Sequence, residues 1–357
     1  TTLSLRLSKV HKKLGFACKW IDDASQVDGI KSTDPAKIYN TGSTTVAWLN
    51  RQSQQIAEEK LWDLMKGNIE ATRKLVEKVS GLDENLRMVR LSSDILPVYT
   101  HTDWSFFWRL SDVRAYCERE FKRIGDLARS NNVRLSMHPG QFVVLASDNQ
   151  GIVDRSIEEF EYHTDMARWM GYGQTFQDFK INVHISGRQG PDGIRRAYDR
   201  LSPEARNTLT IENEEITHNL ETCLELADLV PIVLDIHHHW INSGEYIDPS
   251  DERVKRVIDS WRGLRPTCHY SVSREDVLVG HSTNQRPDLQ TLLNTGHKKQ
   301  KLRAHSNFYW NDAVNEWALG FNDQFDIMCE SKAKNLASIK LSKQLTSAST
   351  DCTIHTS

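Results

Sequence analysis

Short apolar, β-rich runs recur along the chain, separated by longer segments in which apolar residues return every three or four positions. The runs are Leu14–Cys18, Met88–Ser92, Val133–Met137, Ile181–Ile185, Thr208–Ile211, Pro231–Leu234, Pro266–Tyr270 and Asp326–Cys329, eight in all. Runs this short and this rich in branched residues read as buried strands. The segments between them read as helices. Gln52–Val79 is rich in Glu, Lys, Leu and Ala and has no Pro; Ser111–Arg129 has Ser111 and Asp112 as cap candidates; Val153–Met170 follows. Thr217–Leu229 has Thr217 as its N-cap and Leu220, Cys223, Leu224 and Ala227 on one face; Pro249–Trp261 and Ala333–Ser342 are shorter. Strands alternating with helices imply a parallel sheet, and eight such units imply closure into a (β/α)8 TIM barrel. One barrel domain is expected over residues 1–337. Residues 338–357 form a polar, Ser/Thr-rich tail, expected to be disordered toward its end.

Composition narrows the picture. With 38% apolar and 26% charged residues over 357 positions, the chain can fill a large core. No apolar run approaches the roughly 18 residues of a membrane span, and no secretory leader pattern opens the chain. The six cysteines, Cys18, Cys117, Cys223, Cys268, Cys329 and Cys352, show no C-x-x-C spacing and read as reduced thiols. A cytosolic, nucleoid-associated monomer is expected. The net charge of −3 excludes a chain that is basic throughout, so any nucleic-acid footprint must be local. Two basic runs are candidates for it, Lys9–Lys13 and His297–Arg303, although such runs are usually solvated faces. No G-x-G-x-x-G follows the first run, which argues against a dinucleotide fold.

The chemistry collects where the runs end. Six of the eight carry a His, Asp or Glu near the C-terminal end: His138, His184, Glu212, Asp235, His269 and Glu330. A barrel gathers those ends around one mouth, and imidazole with carboxylate is the ligand set of divalent transition metals. Any one of these residues could be an ordinary hydrogen-bonded barrel residue; six at one rim predict a metal site. In VLDIHHHWIN, Asp235 and His238 can reach one site if the chain turns after the strand. His237 and His239 then point elsewhere, with His239 a partner of a ligand or a substrate contact. Several carboxylates and imidazoles suggest more than one ion, which suits attack of water on a phosphodiester. Sugar isomerases use the same ligand types, and spacing alone does not separate the two.

The motifs SMHPGQF (136–142), NVHISG (182–187), IENEE (211–215), VLDIHHHWIN (233–242), HYS (269–271), LRAHSN (302–307) and CESKAK (329–334) occur in this order. With LGFAC and VRLSSDILP upstream, the set resembles the UV damage endonuclease family, a barrel family related to endonuclease IV, from about Leu14 to Ala337. The resemblance implies a DNA repair enzyme that nicks damaged double-stranded DNA immediately 5′ to ultraviolet photoproducts, leaving a 3′-hydroxyl and a 5′-phosphate. It implies two or three divalent ions, Mn2+ favoured over Mg2+, Zn2+ or Co2+, held by His138, His184, Glu212, Asp235, His238, His269, His305 and Glu330. Glu212 and Glu330 would be catalytic. Gln141 and Phe142 fall where the family probes the duplex with a Gln-Tyr pair, and a wedge of this kind fills the gap left by displaced bases. Phe16 stands near the family's damage pocket, Lys332 near a phosphate, and His101 matches a loop histidine. One departure stands out: some members carry a carboxylated Lys two residues before the seventh-strand His, where this chain has Thr267, which puts the third ion in question. The stretch Leu278–Arg303 also reads as longer than in compact members, an added DNA-gripping loop. Two rivals remain: a metal-dependent sugar isomerase or epimerase on the same barrel, and a damage-binding protein without catalysis.

Overall fold

The computed structural model describes residues 12–351, with side chains to residue 345. Eight strands are present, each within one residue of its expected bounds: β1 Leu14–Ala17, β2 Met88–Leu91, β3 Arg134–Met137, β4 Lys180–His184, β5 Leu209–Glu212, β6 Ile232–Val233, β7 Thr267–Tyr270 and β8 Asp326–Cys329. All neighbouring pairs are parallel, in the order β6-β5-β4-β3-β2-β1-β8-β7. The ring closes between β6 and β7 through a single bridge, Asp235 to His269, where the His269 N–H donates to Leu234 O at 3.0 Å. This is a TIM barrel.

The pleat of each strand sorts its residues into two sets. Leu14, Phe16, Val89, Leu135, Met137, Ile181, Val183, Leu209, Ile211 and Ile327 belong to the large apolar core between sheet and helices. The alternate residues face inward and many are polar, as the bonds that cross the ring demonstrate: Arg134 Nη1 meets Asp326 Oδ2 at 2.8 Å, and Lys180 Nζ lies 3.3 Å from His269 Nε2. The N-terminal end is closed by Asp326, which also takes Arg265 Nε at 2.7 Å and the Lys13 N–H at 2.9 Å. Lys13 itself is buried there, donating to Asn132 O at 2.7 Å. That end is opposite the mouth, so Lys13 adds nothing to a DNA footprint; Lys9, Val10 and His11 lie outside the described residues.

Several helices match their expected bounds closely, among them Gln54–Ser80, Ser111–Ser130, Gln150–Trp169 and Glu252–Ser260. Others differ. Ser111 opens its helix as the first helical residue and makes no side-chain cap; the cap position is Leu110. The helix expected over Thr217–Leu229 is shorter, Leu220–Leu224: Asn219, not Thr217, caps its start by accepting from Thr222 N, and just past its end the backbone bonds run only three residues back, as from Ala227 N to Leu224 O. Lys334–Asp351 runs far into the expected tail, with Leu341 buried, and residues 352–357 lie outside the described residues. The histidine triple, expected as a strand tip, starts a helix, Ile236–Ser243.

The stretch after β7 has its own small core. Leu278, Leu289, Leu292 and Leu302 pack against Trp240 and Ile241 of the histidine helix. Polar ties reinforce the contact: Ser273 Oγ donates to Leu302 O at 2.6 Å, Tyr246 Oη to Pro287 O at 2.6 Å and Lys299 Nζ to Asn242 O at 3.1 Å. The segment is therefore a docked platform, not a free loop. Replacing fully buried Leu302 with Ala removes about 2–5 kcal/mol of packing. Limited proteolysis of L302A should cut between residues 278 and 303 well before the rest of the barrel, and a uniform loss of protection would show that the platform has no core of its own.

Candidate metal centre

Glu212 ends β5 with no solvent exposure, and its two oxygens face four imidazoles. Oε2 lies 3.1 Å from His184 Nε2 and 3.3 Å from His138 Nε2; Oε1 lies 3.0 Å from His269 Nδ1 and 3.6 Å from His238 Nδ1. Two sets of side chains each offer ligand atoms all within 4.8 Å of one another: His138, His184 and Glu212, and Glu212, Asp235, His269 and Glu330. Glu212 is common to both, as a carboxylate bridging two ions would be. These six residues come from the ends of β3 to β8, one from each strand, and the pleat that buries Ile211 outward turns Glu212 inward.

Electrostatics favours a cation here. Three buried carboxylates repel one another, and taking them out of water is costly unless positive charge is supplied. Burial and the neighbouring carboxylates push Asp235 well above its ordinary value, and its Oδ2 is buried without a hydrogen-bond partner. Burial acts against Glu212 too, yet His269, His184 and His138 outweigh it and hold the carboxyl well below the usual range. Burial works against charge on His184, but Glu212 prevails and lifts that imidazole to about 10. His138 is pushed down to about 4 by burial and so stands neutral, ready to ligate. The residues present fit divalent ions: hard and borderline donors, convergent, with an unsatisfied buried oxygen.

The two remaining candidates lie at the edge of these sets. Asp235 caps the helix Ile236–Ser243 by accepting from the His238 N–H at 2.7 Å, so the chain does turn after β6. His238 Nδ1 lies 2.8 Å from Asn213 O, which as its acceptor leaves Nε2 as the ligand atom, 3.7 Å from Glu215 Oε2. His305 Nε2 is 3.9 Å from Glu330 Oε2. Lys332 lines the mouth with them, and so does Gln141. Phe142 follows on a turn closed by Val143 N–H to Gly140 O at 3.0 Å and is 85% exposed, so it is not a core residue.

Three candidates are placed elsewhere. Phe16 is 1% exposed, on the outward face of β1 against Trp20, where it cannot meet a lesion. His101 accepts from the Asp103 N–H at 3.2 Å within its own turn and does not line the mouth. His239 points away, Nε2 on Glu245 at 2.8 Å, with Arg253 holding that carboxylate from behind; it is neither a ligand partner nor a substrate contact.

Other residues were missed. Asn182 Nδ2 donates to Glu212 Oε2 at 2.6 Å and so orients it. The Asn213 side-chain amide holds Asp235 in place through a pair of hydrogen bonds, donating to its O and accepting from its N–H. Arg90 Nη1 meets Glu330 Oε1 at 2.6 Å. Lys180 stands beneath His269; for Nδ1 to ligate, Nε2 must carry the ring proton and Lys180 must accept it as an amine. Burial and two nearby arginines bring Lys180 to about 7, which makes that state accessible. An amine thus approaches the seventh-strand histidine from β4, although Thr267 offers none. The alternation Lys180, Asn182, His184 is the signal that could have revealed two of these.

Residues 12–355 match the family described as UV-endonuclease UvdE. The chain belongs to this family. Like its other members, it is an endonuclease. UV DNA damage endonucleases from Bacillus thuringiensis subsp. konkukian and Bacillus anthracis are each 26% identical to it over 315 residues, 85% of this chain and 88% of theirs. Among solved structures, the crystal structure of SacUVDE matches the fold with a TM-score of 0.69 at 23% identity, covering 94% of this chain and 99% of that one.

Since His184 holds a proton that a divalent ion must displace, Mn2+ affinity should rise with pH up to about 10, at most about ten-fold per pH unit for that proton. Calorimetry in two buffers of different ionisation enthalpy should register proton release at neutral pH; equal heats would contradict it. Mn2+ should also raise the melting temperature, and Asp235→Asn should stabilise the metal-free protein while losing most of that rise.

Proposed function

We propose that this DNA-repair endonuclease hydrolyses the phosphodiester bond immediately 5′ to ultraviolet photoproducts in double-stranded DNA. The products are a 3′-hydroxyl and a 5′-phosphate. The observation that carries this reading is one mouth, a cavity of about 1020 Å3, that holds both the ligand constellation and the Gln141 turn with exposed Phe142 beside it. Two or three divalent ions, Mn2+ foremost, would be held by His138, His184, Glu212, Asp235, His238, His269, His305 and Glu330. Such ions supply an activated water and stabilise charge on the attacking and leaving oxygens.

The chain's own residues do the rest. Asn182 fixes the rotamer of Glu212, so the shared carboxylate is set before substrate arrives. Glu330, anchored by Arg90, presents its second oxygen toward His305. Gln141 and Phe142 hold the distorted bases apart, stacking on a face that needs no hydroxyl. The platform brings Gln300 and Lys301 to the rim of the mouth. A sugar isomerase needs an enclosing pocket around one ring, and an 85% exposed Phe at the rim serves no such purpose.

A labelled duplex with one cyclobutane dimer tests the reading. With Mn2+ the wild type should nick once, just 5′ to the dimer; chelator or Glu212→Gln should lower the rate by more than about 10³-fold. Phe142→Ala should weaken lesion binding by 1–3 kcal/mol, about the worth of one stacked base. No cut on dimer, 6-4 product or abasic duplexes would overturn the proposal.

The platform has its own test. Of its basic residues, Lys299 and Arg303 are tied to Asn242 O and Glu215 and Arg286 lies over the Tyr246 ring, so Lys298 and Lys301 are the ones to change. Replacing both with Ala should flatten the dependence of log K on log salt by about two units, roughly 0.9 for each lost phosphate contact. An unchanged slope would show that the platform does not touch DNA.

A further inference from the structure

The chain leaves β8 at the mouth through Glu330-Ser331-Lys332-Ala333-Lys334. Most of its backbone donors are already spent: the N–H groups of Lys332, Ala333 and Lys334 go to Ser306 O, Asn307 O and Ser331 O at 2.9, 3.0 and 3.2 Å. A ligand would be met mainly by the side chains. Ser331 is only 5% exposed, yet its Oγ has no hydrogen-bond partner, and it lines the mouth. Arg90 lines the same wall; its Nη1 is committed to Glu330, while its Nε is buried and makes no hydrogen bond. Lys332 and Lys334 complete the wall. The mouth's other arginines are neutralised by acids, Arg303 by Glu215 at 2.8 Å and Arg274 by Asp276.

Buried donors without acceptors are costly and rarely left so. Here Arg90, Ser331, Lys332 and Lys334 line one wall of the mouth beside Glu330, and just beneath its surface a guanidinium N–H and a hydroxyl lie buried without acceptors. Lys334 also holds a φ of +51°, in the left-handed region that a residue with a side chain rarely adopts. Burial lowers this lysine from its ordinary value, and an anion against it would act in the opposite direction by favouring the charged form.

We propose that Arg90, Ser331 and Lys334, next to the Lys332 already expected near a phosphate, form a seat for one phosphate of the DNA backbone that flanks the bond being cut, beside the metal ligands. The proposal rests on the reading of the chain as a DNA nuclease. A phosphodiester suits the seat: it carries one charge on two acceptor oxygens, which the hydroxyl and cations can share. Because Arg90 also holds Glu330, a phosphate in the seat and the ligand set are joined through one guanidinium. Lys334 is a positioning residue that places the strand and takes no part in bond breaking.

The experiment compares wild type, Lys334→Gln, Lys334→Arg and Ser331→Ala on the dimer duplex, with Mn2+ binding measured alongside. Lys334→Gln should raise KM about ten-fold, leave kcat within about two-fold and flatten the salt slope by about one contact. Lys334→Arg should restore most of the KM, and Mn2+ affinity should be the same in all four. Duplexes with a single uncharged methylphosphonate linkage, moved along the strand near the lesion, identify the phosphate. One linkage should weaken wild-type binding clearly more than it weakens Lys334→Gln, while linkages elsewhere affect the two proteins alike. A fall in kcat at constant KM, a loss of Mn2+ affinity, or the absence of any linkage that separates the two proteins would overturn the seat. Ser331→Ala gives the same comparison through a single buried hydroxyl if Lys334→Gln does not fold. Should the wild type cut nothing, the nuclease reading falls, and anisotropy on the methylphosphonate series still decides the seat.

Discussion

A carboxylate buried among imidazoles governs the architecture around it. Glu212 has no water to solvate its charge, so it must be surrounded by groups that can be positive or can donate. His138, His184, His238 and His269 supply the first kind and Asn182 the second. Two further carboxylates, Asp235 and Glu330, are held within reach of the same point. Such a cluster is unfavourable as a bare fold and favourable as a cation site. The polar barrel interior follows from it: Thr210 donates to Asn182 so that Asn182 can donate to Glu212, and Lys180 stands beneath His269. Many barrels fill their centre with branched aliphatics. This one carries a chain of oriented polar groups from wall to wall.

The barrel was legible because strands announce themselves by short apolar runs, and the ligand set because six of the eight runs carry near their ends a His, Asp or Glu that apolar periodicity cannot explain. Eight runs gave eight strands within one residue. The helical connections were less legible where capping decided the outcome: Asn219 shortens one helix, and Asp235 starts another that hides the direction of three histidines. His305 follows no strand and came only through family resemblance. Phe16 illustrates the limit of carrying a role over by position. An aromatic residue at the right place in the chain faces the wrong side of the sheet, because a pleat assigns sides by parity and not by residue type. Arg90 and Asn182 could have been suspected as polar residues inside apolar strands, but their partners lie on other strands, and no local pattern names those.

The platform after β7 adds a second theme. Its leucines pack on Trp240 and Ile241, side chains of the helix that also carries His238. The rim at Gln300 and Lys301 and the candidate ligand His238 are therefore braced on one eight-residue helix. Arg303 reaches from the platform to Glu215, the carboxylate nearest His238 Nε2. Contact with the rim and geometry at the ligand share a common support.

The junction between β6 and β7 gives the barrel a seam. Strand β6 is two residues long, and only the Asp235–His269 bridge joins it to β7. Both bridge residues also offer ligand atoms to the same point. An ion held by Asp235 and His269 would thus be a clasp across the thinnest part of the wall. Closing the cylinder and loading the centre would then be one event, and depletion of metal would loosen the vessel itself at the place where catalysis would occur.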